Sequence, residues 1–148
     1  MKALTLTQPW ASLVASGAKH IETRAFRSSY RGPLAIHAAR TFPTWAQALC
    51  NQEPFLSALR STDSRDPTKP IAPQLPRGCV LAVARLENCV PIEEMGLPAE
   101  PERSFGEYRP GRYAWVLHFI TRLPDSLPAR GALSLWEWHP PLPLSPVT

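Results

Sequence analysis

Gly17-Ala18-Lys19-His20-Ile21-Glu22-Thr23-Arg24 gathers a helix breaker, cations and the only acid of the first forty residues into eight positions. Upstream, Trp10, Leu13 and Val14 recur at helical spacing and stop before Gly17. That glycine suits the left-handed residue that ends a helix. Residues 20–25 then read as a strand, so Lys19 falls at a helix-to-strand junction, where binding groups are often held. On a strand, Glu22 and Arg24 share one face because the period is two. Lys19 has the opposite parity but lies where the chain is still turning. The three charges are therefore expected to meet in one concave, water-accessible pocket. The spacing also suits a solvated Glu-Arg pair, which contributes little.

Outward from this stretch, the pattern predicts a mixed chain of short elements. Residues 2–6 alternate as a strand, and Thr7 stands as a cap for a helix that tolerates Pro9 in its first turn. Residues 33–39 form another strand, with His37 read as a buried, hydrogen-bonded structural histidine. A helix is expected within 41–59, broken near Pro54. Residues 61–77 carry four prolines and no apolar period, and are expected to be an extended, mobile loop inside the domain. Its Arg65, Lys69 and Arg77 could touch a phosphate backbone. Residues 79–86 and 113–119 are apolar strands on either side of an acidic, proline-interrupted segment, and a last short strand carries Leu135, Trp136 and Trp138. One domain over 1–138 is expected, with a poorly ordered proline-rich tail over 139–148.

Composition narrows the function classes. At 148 residues with 44% hydrophobic content, the chain can bury one useful core. Its 18 prolines disfavour long helices and central strands. Cys50, Cys79 and Cys89 are an odd set without Cys-x-x-Cys spacing, which argues against disulfides and zinc. Neither a secretory leader nor an 18-residue apolar run is visible, so a cytoplasmic, reduced protein without membrane contact is expected; its oligomeric state is open, with a monomer favoured. Residues 1–40 carry a balance of +5 and residues 86–107 a balance of −5. Arginine supplies 13 of the 16 cations, which suits phosphate and base contacts, although a G- and C-rich genome would also favour it. No nucleophile elbow, P-loop, dinucleotide fingerprint or metal spacing is present, so no metal or cofactor is expected.

Gly17-x-Lys19-x-x-Glu22-x-Arg24 resembles the G-x-K-x-x-E-x-R motif of the ASCH family, named for activating signal cointegrator-1 homology. Gln8-Pro9-Trp10-Ala11 before it and Tyr30-Arg31-Gly32-Pro33-Leu34-Ala35-Ile36-His37-Ala38-Ala39 after it are similar to members too. So are Phe105-Gly106-x-Tyr108-x-Pro110-Gly111-Arg112-Tyr113-Ala114-Trp115-Val116-Leu117 and Gly131-x-Leu133-x-Leu135-Trp136-Glu137-Trp138. The resemblance covers most of 1–138 and misses the region around 50–77. It implies an α+β fold: a PUA-like mixed β-barrel of short strands, with one main helix and a few short ones, in a fold tied to RNA and modified nucleosides.

Two readings of function follow. As a binding module for RNA, single-stranded nucleic acid or a modified nucleoside, the resemblance puts the cleft around Lys19, Glu22 and Arg24. Arg31 is an added candidate contact, and Trp10 or Tyr113 would stack a base. As an enzyme, the chain is similar to a branch of the family that hydrolyses N4-acetylcytidine with lysine, threonine and a distant glutamate. Lys19 matches that lysine, Glu22 stands in the threonine's place, and Glu102 or Glu107 are the candidate distant acids. Burial lowers a lysine's pKa and a neighbouring carboxylate raises it, so sequence leaves the state of this amine open. Ribonuclease activity is a further implication of the resemblance. A protein-interaction module in transcriptional coactivation is the least supported class.

Overall fold

A computed structural model describes residues 1–141 and 143–144; the rest of the expected disordered tail lies outside the described residues. Six strands form one sheet in the order β2-β5-β4-β3-β1-β6. They are β1 (Lys2–Leu6), β2 (Ile21–Arg24), β3 (Gly32–Ala38), β4 (Cys79–Pro91), β5 (Tyr113–Pro128) and β6 (Leu135–Glu137). β1 and β3 run parallel, and every other neighbouring pair is antiparallel. The sheet curls into a half-barrel whose edge strands β2 and β6 do not pair.

The helices are α1 (Trp10–Ala15), α2 (Thr44–Leu49), α3 (Phe55–Thr62), α4 (Ile92–Met95) and α5 (Glu102–Phe105). α1 is buried on both sides. Ala11, Val14 and Ala15 join the main core with Leu4, Leu34, Ile36, Leu81, Leu86, Trp115 and Leu117 of the sheet. Leu13 faces a second core built from Phe42, Ala46, Phe55, Leu59, Ile71 and Phe105. Each fully buried leucine or valine is worth about 1.5–3 kcal/mol over an exposed one, so α1 ties the sheet to the helical layer. Gly17 ends α1 at φ +83°, with its N–H on Val14 O at 3.0 Å, as its position predicts.

Several expectations need amendment. The strands are not all short: β4 has 13 residues and β5 has 16. Their pairing shifts register at three places, and each bulge breaks the period of two that sequence reading relies on. Val80 pairs with Leu127 while Ala82 pairs with Arg122, so Pro124 lies in a bulge and not in the regular ladder. No single helix dominates, since α1 and α2 have six residues and α3 has eight. Thr7 does not cap α1: the cap residue is Pro9, which makes no side-chain bond, and Gln8 before it supplies the partner, its Oε1 accepting the Ser12 N–H at 3.0 Å and its Nε2 donating to Ser12 Oγ at 2.8 Å.

The 61–77 segment is not without apolar anchors. Ile71 is fully buried and Leu75 nearly so, both in the second core. Gln74 accepts the Arg65 and Asp66 N–H groups at 2.9 Å each, and its amide donates to Asp66 O at 3.0 Å. Two anchors only four residues apart, in a segment of seventeen, are too few to register as a period. Amide exchange is accordingly expected to be slow at Gln74 and Leu75, whose N–H groups are bonded to Ile71 O and Ala72 O, and fast at exposed Arg77. Uniformly fast exchange over 61–77 would contradict this anchoring.

Candidate nucleic-acid interface

β2 is an edge strand, and side chains meet the outward N–H and carbonyl of Ile21 and the outward carbonyl of Thr23. Lys19 Nζ donates to Ile21 O, and Arg112 Nη2 donates to Thr23 O at 3.0 Å. The Glu102 carboxylate accepts the Ile21 N–H at 2.8 Å and the His20 N–H at 3.0 Å. These contacts occupy an edge that would otherwise invite another strand.

The alternation of β2 puts Glu22 and Arg24 on one face. Glu22 Oε1 lies 3.2 Å from Lys19 Nζ, and Glu22 Oε2 accepts from Arg24 Nε at 3.1 Å. Arg24 Nη2 also donates to Thr5 O at 2.8 Å, which fixes the guanidinium against β1. The three charges do converge, but in two layers. Glu22 and Arg24 line a cleft of about 400 Å³, whereas Lys19 has 0% exposure and supports Glu22 from beneath.

The cleft's other wall is aromatic. Trp10 and Trp45 meet at a centroid distance of 5.9 Å, and Phe55 packs edge-on to Trp10 at 6.2 Å. Trp10 Nε1 donates to Phe105 O at 2.8 Å, which sets the angle of its indole. Trp45 is 63% exposed, although its place in the helical pattern of 42–59 suits a core residue. Glu107 and Arg112 complete the rim. Arg112 Nε lies 3.5 Å from Glu107 Oε2, and is buried with no hydrogen-bond partner among the described residues.

Other predicted site residues fall elsewhere. Arg31 is exposed and bonds its own loop, at Ser28 O (2.9 Å) and Tyr30 O (2.7 Å), away from the cleft. Tyr113 packs against the main core and is not part of the cleft lining. Both carboxylate oxygens of Glu102 are committed to the start of β2, which makes Glu102 a strap between α5 and the strand. Glu107 does reach the cleft, held by Arg109 at 2.6 Å.

Sequence reasoning passed over Arg112, Trp45 and Tyr108. Arg112 and Tyr108 lie inside the matched stretch from Phe105 to Leu117, so their signal was present but spread over a long motif. Tyr108 has a buried hydroxyl without a partner among the described residues. Burial first, then the Glu102 and Glu22 carboxylates, push its pKa well above the usual tyrosine range, so it stays a protonated donor. A Cβ at Gly106 would stand 2.7 Å from the Tyr108 ring, which is why glycine lines the cleft there.

His37 has the structural role its surroundings suggested. Its Nε2 donates to Ala129 O at 2.7 Å, so in the neutral ring Nδ1 accepts from Thr5 Oγ1 at 3.1 Å. Burial lowers its pKa. The three cysteines are buried and free, and burial pushes the Cys50 thiol up to about 11. Among the described residues, no group of three His, Cys, Asp or Glu side chains is placed to hold a metal, and no helix is long and apolar enough to cross a membrane.

Comparison with known proteins agrees with this architecture. The activating signal cointegrator 1 proteins of Homo sapiens and Mus musculus are each 32% identical to the chain over 87 residues. That segment is 59% of this chain but 14% of either relative, so the chain spans a small part of their length. The fold is similar to the crystal structure of ASCH from Zymomonas mobilis, with a TM-score of 0.53 over 93% of this chain and 87% of that one, at 14% identity. A model of the ASCH domain matches residues 4–122, and the chain belongs to the ASCH domain family.

Proposed function

We propose that this protein binds single-stranded RNA and takes one nucleoside into the cleft beside β2. The observation that carries the reading is an aromatic wall, Trp10 and Trp45, opposite the polar groups of Glu22, Arg24 and Arg112 in one cleft. Its size of about 400 Å³ falls in the usual range for a small-ligand site. A base would stack on the exposed indole of Trp45, a contact that tolerates any base because every base has a π-face. Arg112, held by the bond from its Nη2 to Thr23 O, brings a positive charge to the cleft lining for a base carbonyl or phosphate oxygen. Glu22 keeps one free lone-pair direction on each oxygen for an exocyclic amine.

Binding is a stronger reading than hydrolysis of N4-acetylcytidine or of RNA. A nucleophilic lysine must reach its substrate, and here Lys19 is wholly buried with its amine bonded to Glu22 and Ile21 O. The test is incubation with the four nucleosides, N4-acetylcytidine and an RNA of about twelve nucleotides, a length within the usual single-strand site sizes. Tryptophan fluorescence would report binding and chromatography would report turnover. Quenching by RNA that weakens with salt, with every ligand recovered intact, is the expected result. Turnover without saturable quenching would replace binding with catalysis, and neither signal would overturn the reading.

A further inference from the structure

A second, larger groove of about 1170 Å³ lies on the other side of Thr5, and among the described residues its lining includes Arg40, Arg77 and Arg130 but no acid. These arginines come from three neighbouring strand ends. Arg40 follows β3, Arg77 precedes β4 and Arg130 follows β5. The register places those ends side by side, since Ala38 pairs with Cys79 and Cys79 with Pro128. Gly78 N–H donates to Ala38 O at 2.8 Å and Ala129 N–H to Gly78 O at 3.1 Å, so the three strand ends are also joined beyond the ladder. Adjacent strands are about 4.8 Å apart, which spreads the three stems over roughly 10 Å.

All three arginines are exposed, and among the described residues none makes a side-chain hydrogen bond or ion pair. Arg24, Arg109, Arg112 and Arg122 each meet a carboxylate instead. Unpaired guanidiniums on one rim form an anion-attracting track, and a polyanion with regularly spaced charges suits it better than one isolated anion. The floor is built for close approach. A Cβ at Gly131 would stand 2.7 Å from Thr5 Oγ1 and from His37 Cε1, so glycine lets this loop lie flat on the polar chain from Trp136 through Thr5 and His37 to Ala129 O.

Thr5 joins this groove to the cleft. It lines both, giving its carbonyl to Arg24 on the cleft side while its hydroxyl bonds His37 on the groove side. We infer that the groove carries the phosphate backbone of the same RNA strand whose nucleoside enters the cleft, with Arg40, Arg77 and Arg130 as its phosphate contacts. The inference rests on the RNA reading above and adds a second, sequence-independent part to that site. The cleft holds one nucleoside, and the groove lengthens the footprint and sets the salt dependence.

The test compares the wild-type protein with the triple variant Arg40→Ala, Arg77→Ala, Arg130→Ala, and with Trp10→Ala as a cleft variant. The probes are a fluorescein-labelled RNA of about twelve nucleotides and the four unlabelled nucleosides. Because the three side chains are exposed, the triple variant should melt at the wild-type temperature. Its RNA affinity should fall by at least about ten-fold at ~0.1 M salt, and its log–log salt slope should shrink by about 2, three phosphates at roughly 0.7 each. Nucleoside affinity should be unchanged. A triple variant with wild-type RNA affinity and slope would overturn the track while leaving the cleft reading intact. Equal loss of nucleoside and RNA binding in that variant would overturn the division of labour between the two sites. Failure of the wild-type protein to bind any of these probes would overturn the RNA reading and the track with it.

Discussion

Replacing Lys19 by alanine is expected to lower the free energy of unfolding by about 3–5 kcal/mol, the range for removing one partner of a buried ion pair. The size of the effect follows from geometry. Lys19 is wholly buried, and its amine meets both Glu22 Oε1 and the outward carbonyl of Ile21. Without the amine, that carbonyl on the edge of β2 loses its donor, and Glu22, 13% exposed, keeps only Arg24 as a charged partner. Arg24 moderates the loss and places it toward the lower end. The double variant Lys19→Met, Glu22→Gln should recover part of the lost stability, because it removes both charges together and preserves volume. Urea denaturation of the single and double variants measures both effects. A loss below about 1 kcal/mol for Lys19→Ala would show the pair to be worth no more than an exposed one.

Trp10→Ala is expected to weaken RNA binding by about 1–3 kcal/mol, the range for losing one base-stacking aromatic. Trp10 acts with Trp45, and its indole angle is fixed by the bond to Phe105 O. Trp10 also packs against the second core, so its loss will cost some stability. Trp45→Ala separates the two effects: at 63% exposure, Trp45 contributes little to the core, and its removal should cost affinity with the fold unchanged. Trp10→Phe should retain most of the binding, since it keeps a π-face. Fluorescence anisotropy with labelled RNA checks each variant. Wild-type affinity in both Trp10→Ala and Trp45→Ala would remove the aromatic wall from the account.

The fold was legible where local chemistry and packing agree. Gly17 marks the end of α1 because only a left-handed residue fits there, and Pro54 separates α2 from α3 as expected. The three charges of the motif meet because strand alternation brings Glu22 and Arg24 together. What sequence could not show was depth. Lys19 could have lain on the cleft floor or below it, and parity alone does not decide between a lining group and a supporting one. The extended lengths of β4 and β5 were hidden by bulges, which break the alternation without a compositional mark. Trp45 followed a helical apolar pattern, yet it lies on the cleft side of α2 because Ala46 and not Trp45 turns into the second core. The groove of Arg40, Arg77 and Arg130 depends on strand ends distant in the chain, which only the sheet order brings together.

The most direct test of the nucleoside cleft is a heteronuclear NMR titration with a short single-stranded RNA, read at the indole N–H signals of Trp10 and Trp45 and at Arg112 Nε. The cleft account predicts that these signals shift together and saturate with one affinity, while the indole of Trp115, buried in the main core, stays in place. Saturable RNA binding that leaves Trp10, Trp45 and Arg112 unmoved would contradict it.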